Sequence, residues 1–122
     1  MKRVLLIERE TPSNAAISYL FGHGGLVVYA YTSATEASSQ LIDGGFDVVL
    51  VDTELQDSSG LDIAEAVTRK WPSKRVVVMA SEDATGAEAH RRCPGASVLM
   101  KPLSEERLIE ALGLPASELC YN

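Results

Sequence analysis

The pattern of apolar positions along the chain predicts five short strands, over residues 3–7, 26–31, 47–51, 75–80 and 97–100. The run Val48-Val49-Leu50-Val51 is uninterrupted and rich in β-branched residues, which indicates a strand buried on both faces. Segments in which apolar residues follow helical spacing lie between and after these strands. The predicted helices run from 11 to 21, from 33 or 35 to 43, from 61 to 70, from 84 to 92 and from 104 to 112.

Helix-terminating residues support this assignment. Thr11 can cap the first helix, and Pro12 suits its first turn, where a missing N–H costs nothing. Gly86 lies inside the fourth helix and costs about 1 kcal/mol relative to alanine, so we expect that helix to be weak.

Strict alternation of short strands and helices predicts right-handed crossovers and a parallel sheet covered on both faces. The expected architecture is a three-layer α/β/α sandwich.

Composition narrows the class of protein. The 122 residues suffice for one domain, predicted over 1–113 with a short tail over 114–122, and 46% of them are hydrophobic. A formal net charge of −6 argues against nucleic acid or an anionic membrane as the direct partner. No stretch approaches the roughly 20 apolar residues that span a bilayer. The apolar run after Lys2-Arg3 is too short for a signal peptide, so we expect a cytoplasmic protein.

Chemically useful side chains follow four of the predicted strands. Glu8-Arg9-Glu10 follows the first strand, Asp52 the third, Ser81 the fourth and Lys101 the fifth. Because parallel strands end at one edge of the sheet, these groups are expected to meet where such sheets bind ligands. Carboxylate, hydroxyl and amine together suit a phosphoryl group. From its position alone, Asp52 is a phosphoryl-accepting nucleophile, a metal ligand or a helix cap.

Two motifs give the chain its resemblance to a known family. They are DVVLVDTELQDSSGL over residues 47–61 and GASVLMKPL over residues 95–103. With the strand–helix pattern, they make the chain from about Lys2 to Leu112 resemble a response-regulator receiver domain of the CheY-like superfamily. The resemblance implies a (βα)5 flavodoxin-like fold with strand order 2-1-3-4-5. It also implies Asp52 as phosphoacceptor, Lys101 as phosphoryl contact, and a cis Lys101–Pro102 bond.

The same resemblance implies partners and a cofactor. The partners are a histidine kinase or phosphotransfer protein and a downstream protein target, with homodimerisation left open. The cofactor is Mg²⁺, held by Glu8, Asp52 and the backbone carbonyl of Glu54. The family's second acid is Arg9 here, which either pairs with Asp52 or stays solvated, so magnesium binding is expected to be weak or absent.

Other departures concern the switch residues. The family's hydroxyl position aligns with Ala80, and Ser81 is the candidate substitute. The aromatic switch position is Val98, and the usual loop proline is Gln56. These departures weaken the expectation of a phosphorylation-driven switch, while the fold is unaffected.

Three functions are compatible with this pattern. The first is a stand-alone receiver in a two-component phosphorelay, phosphorylated on Asp52 and signalling through protein contacts without enzymatic activity. The second is a phosphorylation-independent pseudo-receiver that acts as a protein-binding module. The third is a small phosphatase with an aspartate nucleophile, suggested by Val51-Asp52-Thr53-Glu54, although the second acid is Glu instead of Asp. A flavin site is disfavoured because Glu8 and Glu10 would repel its phosphate.

Overall fold

A five-stranded parallel sheet forms the centre of the protein in the computed structural model, which describes residues 2–9, 25–55 and 57–114. The strand order is β2-β1-β3-β4-β5, and every neighbouring pair is parallel, as predicted. The strands are β1 (Lys2–Ile7), β2 (Leu26–Tyr31), β3 (Val48–Asp52), β4 (Arg75–Ala80) and β5 (Ser97–Met100). Each lies within one residue of its predicted bounds.

Four helices are described: α1 (Ser38–Asp43), α2 (Gly60–Lys70), α3 (Asp83–Arg92) and α4 (Glu105–Ala111). The helix predicted over 11–21 lies outside the described residues. Ser59 caps α2 by accepting a hydrogen bond from the Leu61 N–H, and Ser104 caps α4 in the same way for the Arg107 N–H. Within the described residues, no helix has the length and apolar character needed to cross a membrane.

Alternation along the strands builds an apolar layer on each face of the sheet. Val4 and Leu6 of β1 pack with α4, whereas Leu5 and Ile7 pack on the opposite face with α2 and α3. All five residues of β3 are buried, because both faces of this central strand are covered. The predicted three-layer sandwich is thereby confirmed. Leu114, the first residue of the predicted tail, packs against the layer that contains α4.

Trp71 organises the end of α2. Its indole packs edge-on against Phe46, with ring centroids 5.6 Å apart. It also abuts Gly44, which ends α1 in the left-handed region at φ 70°. A side chain at position 44 would meet both an unfavourable backbone conformation and the indole, at 2.8 Å from the added Cβ. The predicted ends of these two helices, at Gly44 and Trp71, are confirmed.

The helix expected to be weak is complete, with ten residues in α3. Gly86 is buried against β5, where an added Cβ would lie 2.9 Å from the Met100 Sδ. The missing side chain therefore lets α3 approach the sheet closely. Close packing offsets the helix propensity that glycine loses, which the sequence pattern alone did not reveal.

α1 begins later than predicted, at Ser38 instead of Ser33 or Thr35, after a turn over residues 34–37. The backbone N–H groups of Ala34 and Thr35 donate to the carboxylate of Asp57, at 3.1 and 2.9 Å. Asp57 belongs to the β3–α2 loop, so the start of this segment is shaped by a distant part of the chain. The predicted cap at Ser33 is nevertheless present in this turn, because its hydroxyl accepts a hydrogen bond from the Glu36 N–H at 3.1 Å.

Candidate functional site

Asp52 and Lys101 form the centre of the candidate site, at the carboxyl edge of the sheet. The Asp52 side chain is 7% exposed, and its Oδ2 accepts a hydrogen bond from Lys101 Nζ at 2.5 Å. Asp52 Oδ1 accepts a second hydrogen bond from the Glu54 backbone N–H at 2.9 Å. Both carboxylate oxygens are thus oriented by donors, which holds the group in one position.

Glu8 completes a three-residue cluster. Its side chain is 13% exposed, and Glu8 Oε2 lies 4.0 Å from Lys101 Nζ. One ammonium group therefore faces two carboxylates, one from the end of β1 and one from the end of β3. The predicted convergence of Glu8, Asp52 and Lys101 is confirmed, as is the cis bond between Lys101 and Pro102.

Arg9 follows the second of its two predicted placements, since its side chain is more than half exposed and does not pair with Asp52. Its Nη1 lies 3.7 Å from Glu54 Oε1, and both side chains are more than half exposed. The Arg9–Asp52 pair does not form, and the oxygens of Asp52 are bound instead by Lys101 and by the Glu54 N–H. The guanidinium of Arg9 thus lies at the rim of the site, in a solvent-screened pair.

An alanine occupies the position at which the resemblance expects a hydroxyl side chain, as the sequence indicated. Ala80, the last residue of β4, is fully buried and carries no hydroxyl. Ser81 follows it and is exposed. A role for Ser81 in contacting a phosphoryl group stays a prediction.

The residues present fit a divalent cation only in part. Mg²⁺ requires oxygen ligands and is commonly held in proteins by one or two carboxylates together with several waters. Glu8 and Asp52 supply two carboxylates, and the Glu54 backbone carbonyl is the third predicted ligand. Among residues 2–9, 25–55 and 57–114, no three acidic, His or Cys side chains form a group that could hold a metal. Lys101 and Arg9 add positive charge to the same small volume, so the cation must compete with them.

The loop between Asp52 and α2 folds back onto the end of β3. Glu54 and Ser59 form an isolated antiparallel bridge, and the Gly60 N–H donates to the Thr53 carbonyl at 3.1 Å. Gly60 packs so tightly that an added Cβ would lie 1.8 Å from the Asp52 carbonyl oxygen. The glycine that the resemblance places here is therefore required by close backbone approach.

Asp57 is a functional candidate that the sequence interpretation missed. Its carboxylate accepts hydrogen bonds from the Thr35 hydroxyl, at 2.5 Å, and from the N–H groups of Thr35 and Ala34. These donors lower the pKa of Asp57, with the Thr35 hydroxyl as the largest cause. The loop that follows Asp52 is thereby tied to the start of the α1 segment. An acid in a loop of this composition carries no local signal that would identify its partner.

Val98 occupies the predicted switch position. It is partly buried and packs against the apolar layer that contains α2 and α3. Gly86 of α3 lies beside it, with an added Cβ 3.8 Å from Val98 Cγ1. A β-branched side chain in this setting has few rotamers available. Gln56, at the usual proline position, lies outside the described residues.

Comparison with known proteins agrees with this arrangement. A family model described as the response regulator receiver domain matches residues 4–113. The chain is 25% identical over 118 residues to the sensory transduction protein LytT of Enterococcus faecalis, covering 95% of this chain and 48% of LytT. It is 28% identical over 107 residues to the alginate biosynthesis transcriptional regulatory protein AlgB of Pseudomonas aeruginosa, covering 87% of this chain and 24% of AlgB.

A solved structure shows the same fold. The crystal structure of a response regulator receiver domain protein from Clostridium thermocellum superposes with a TM-score of 0.77 at 24% identity, covering 93% of this chain and 92% of that one. The chain spans about half the length of LytT and about a quarter of AlgB.

Proposed function

The chain belongs to the response regulator receiver domain family, and on that premise we propose that it accepts a phosphoryl group on Asp52 and signals through protein–protein contacts. The observation that carries the proposal is the buried Asp52 carboxylate, held by Lys101 Nζ at 2.5 Å beside Glu8. A carboxylate can act as the nucleophile in phosphoryl transfer, a lysine can bind the phosphoryl oxygens, and a second acid can help to hold a metal ion.

In the proposed reaction, a carboxylate oxygen of Asp52 attacks the phosphorus of a phosphohistidine in a histidine kinase or phosphotransfer protein. An O–P bond forms while the P–N bond breaks, and the leaving imidazole nitrogen takes a proton from solvent. Lys101 then donates hydrogen bonds to the phosphoryl oxygens, because its ammonium group carries three donors. Arg9, in its exposed pair with Glu54, adds a second positive charge at the rim of the site.

We expect magnesium to be of limited importance for the phosphorylation of this chain. Glu8, Asp52 and the Glu54 backbone carbonyl would hold the ion, which would neutralise phosphoryl charge when bound. Lys101 and Arg9 can supply part of that neutralisation themselves. We therefore expect phosphorylation to depend less on magnesium than it does in a receiver with two adjacent acids after β1.

Incubation with acetyl phosphate, with and without magnesium, followed by intact mass measurement, tests the proposal. We expect a mass gain of one phosphoryl group that disappears in Asp52→Asn. Asp43→Asn removes an exposed carboxylate from α1 and serves as the matched control, which should retain the gain. Phosphorylation that persists in Asp52→Asn, or none in the parent chain with either acetyl phosphate or a phosphorylated phosphotransfer protein, contradicts the proposal.

The second candidate function is that of a pseudo-receiver, a protein-binding module that acts without phosphorylation. Three features of the site favour it. Lys101 already neutralises Asp52, Ala80 lacks the hydroxyl, and Arg9 stands where the family has an acid. If no phosphoryl group is accepted, the domain would act through a surface whose shape does not depend on Asp52. A protein-binding activity unchanged in Asp52→Asn would identify this case.

A further inference from the structure

A small apolar cleft lies between α1 and α2, away from the Asp52 cluster. Its volume is about 230 Å³, and it is lined by Leu41, Ser58, Ile63, Ala66, Val67 and Trp71. This volume is below the roughly 300–1,000 Å³ of pockets that enclose whole small molecules. The size therefore fits a single bulky side chain better than a complete cofactor or metabolite.

α1 lines the cleft with Leu41. The next residue, Ile42, is 65% exposed, more than any other large hydrophobic residue in the described part of the chain, but it does not line the cleft. The backbone carbonyl of Ile42 accepts a hydrogen bond from Lys70 Nζ at 3.1 Å, which places α1 and the end of α2 side by side. The cleft is therefore bordered by two helices that are joined through the Lys70 side chain.

Charges of opposite sign mark the two ends of the cleft. Asp62 and Lys70 both line it, two helical turns apart on the face of α2 that also presents Ala66. Eight residues of α-helix span about 12 Å. The Asp62 side chain is 66% exposed although it binds Arg92, and Lys70 keeps donors beyond the one used for Ile42. A partner protein that binds in the cleft therefore meets an acidic side chain at one end of the cleft and a basic side chain at the other.

Ser58 connects the cleft to the loop that follows Asp52. It lines the cleft, and its hydroxyl oxygen is buried without a hydrogen-bond partner among the described residues. Ser58 therefore joins the wall of the cleft to the loop that follows Asp52, while its hydroxyl oxygen is closed off from solvent and offers no polar contact to an occupant of the cleft.

We propose that this cleft is the docking site for an amphipathic helix of a partner protein, which inserts one bulky apolar side chain. That side chain is flanked on the same helical face by a basic residue, which meets Asp62, and by an acidic residue, which meets Lys70. Apolar anchors with helical spacing are the usual means by which a helix binds a groove, and complementary charges fix its direction. The docking goes beyond the proposed phosphorylation and does not require it.

Two designed helical peptides provide the probe. Each has a central phenylalanine, with lysine four residues to one side and glutamate four residues to the other, and the two differ in the order of the charges. Titration into the ¹⁵N-labelled full chain is expected to shift amides of Leu41, Ser58, Trp71 and α2 with one peptide of the pair. An alanine in place of the phenylalanine should abolish these shifts.

Variants of the chain sharpen the test. Ala66→Glu places a charge on the wall of the cleft at an exposed helical position and should weaken binding at least tenfold. Ala87→Glu, at an exposed position of α3, is the matched control and should bind as the parent does. Lys70→Glu should weaken binding, and a peptide with lysine in place of glutamate should restore it.

Several outcomes would overturn the proposal. They are equal binding by Ala66→Glu, shifts confined to another face, binding unaffected by loss of the phenylalanine, and no binding by either peptide. Sedimentation that shows an Ala66-dependent dimer of the chain would assign the cleft to self-association instead. Because Asp52→Asn should bind the peptide like the parent, failure of phosphorylation and failure of docking are separately visible.

Discussion

The Lys101 ammonium group lies near two carboxylates, Asp52 at 2.5 Å and Glu8 at 4.0 Å. This arrangement weakens the binding of other cations at the site. A divalent ion that approaches both carboxylates meets an ammonium group already between them. Arg9, at the position of the second acid, adds repulsion in place of an oxygen ligand. The negative charges of Glu8 and Asp52 are therefore nearly balanced by the positive charges of Lys101 and Arg9.

Replacement of Arg9 with Asp should strengthen magnesium binding. The substitution removes a positive charge and adds an oxygen ligand, so we expect an affinity gain of about tenfold, equivalent to about 1.4 kcal/mol. Calorimetric titration measures it. Arg91→Asp, which makes the same charge change on α3, should bind magnesium like the parent. Sub-millimolar binding by the parent chain would show that Arg9 does not weaken the site.

Close backbone packing at Gly60 leads to a second prediction. Gly60→Ala should destabilise the domain by about 3 kcal/mol, because the added Cβ would lie 1.8 Å from the Asp52 carbonyl oxygen and the backbone must move. Gly95→Ala is the matched control, with no atom within 4 Å of its added Cβ, and should be neutral or slightly stabilising. Urea unfolding compares the two, and equal stabilities would refute the close contact.

At the scale of elements, the strands were predictable because their signal is local. Apolar runs fix a strand without knowledge of its neighbours, and the bounds of β2, β4 and β5 agree with the prediction residue for residue. The contact between Asp57 and the turn before α1 was not predictable, since Asp57 lies 22 residues beyond Thr35 in the sequence. The partner of Arg9 was equally hidden, because the choice between Asp52 and Glu54 depends on how two loops pack.

The tie between Asp57 and the α1 segment should appear in the pH dependence of stability. Hydrogen bonds lower the pKa of Asp57 from 3.8, so its stabilising contribution is present above pH 3.8 and is lost as pH falls through the lowered value. Asp57→Asn should therefore be less stable than the parent at pH 7, with a difference that narrows in acid. Urea unfolding across this range measures it, with Asp43→Asn as the charge control. A difference independent of pH would argue against the carboxylate.

At the scale of the whole molecule, α2 and α3 are joined by one side chain. Arg92 of α3 binds Asp62 and Glu65 of α2 at 2.7 and 2.6 Å, and Glu88 of its own helix at 3.5 Å. These carboxylates raise the pKa of Arg92, with Glu65 as the largest cause. Together with the close contact of Gly86 on β5, this network restrains α3 against both of its neighbours.

Because α3 is restrained in this way, we expect a phosphoryl mimic to change the structure only near Asp52. Ala80 offers no hydroxyl to move, and Val98 is stiff and too small to act as an aromatic switch. Addition of beryllofluoride should therefore perturb amides near Asp52 and in the loop up to Gly60, with small changes from Val98 to Leu112. Chemical-shift mapping tests this, with Asp52→Asn as the unresponsive control. A large, coherent response across β5 and α4 would reveal a switch of another kind.

Trp71 is the only tryptophan in the chain, and its placement has an optical consequence. Its indole lines the cleft between α1 and α2, with the Lys70 ammonium 4.5 Å from the ring centroid. Asp52 lies near the other end of α2, a helix about 16 Å long. Fluorescence emission should therefore respond to an occupant of the cleft, which displaces water and moves the nearby cation, and should be insensitive to magnesium. Occupancy of the cleft can thus be followed without attaching a dye, and magnesium can be present without disturbing the signal.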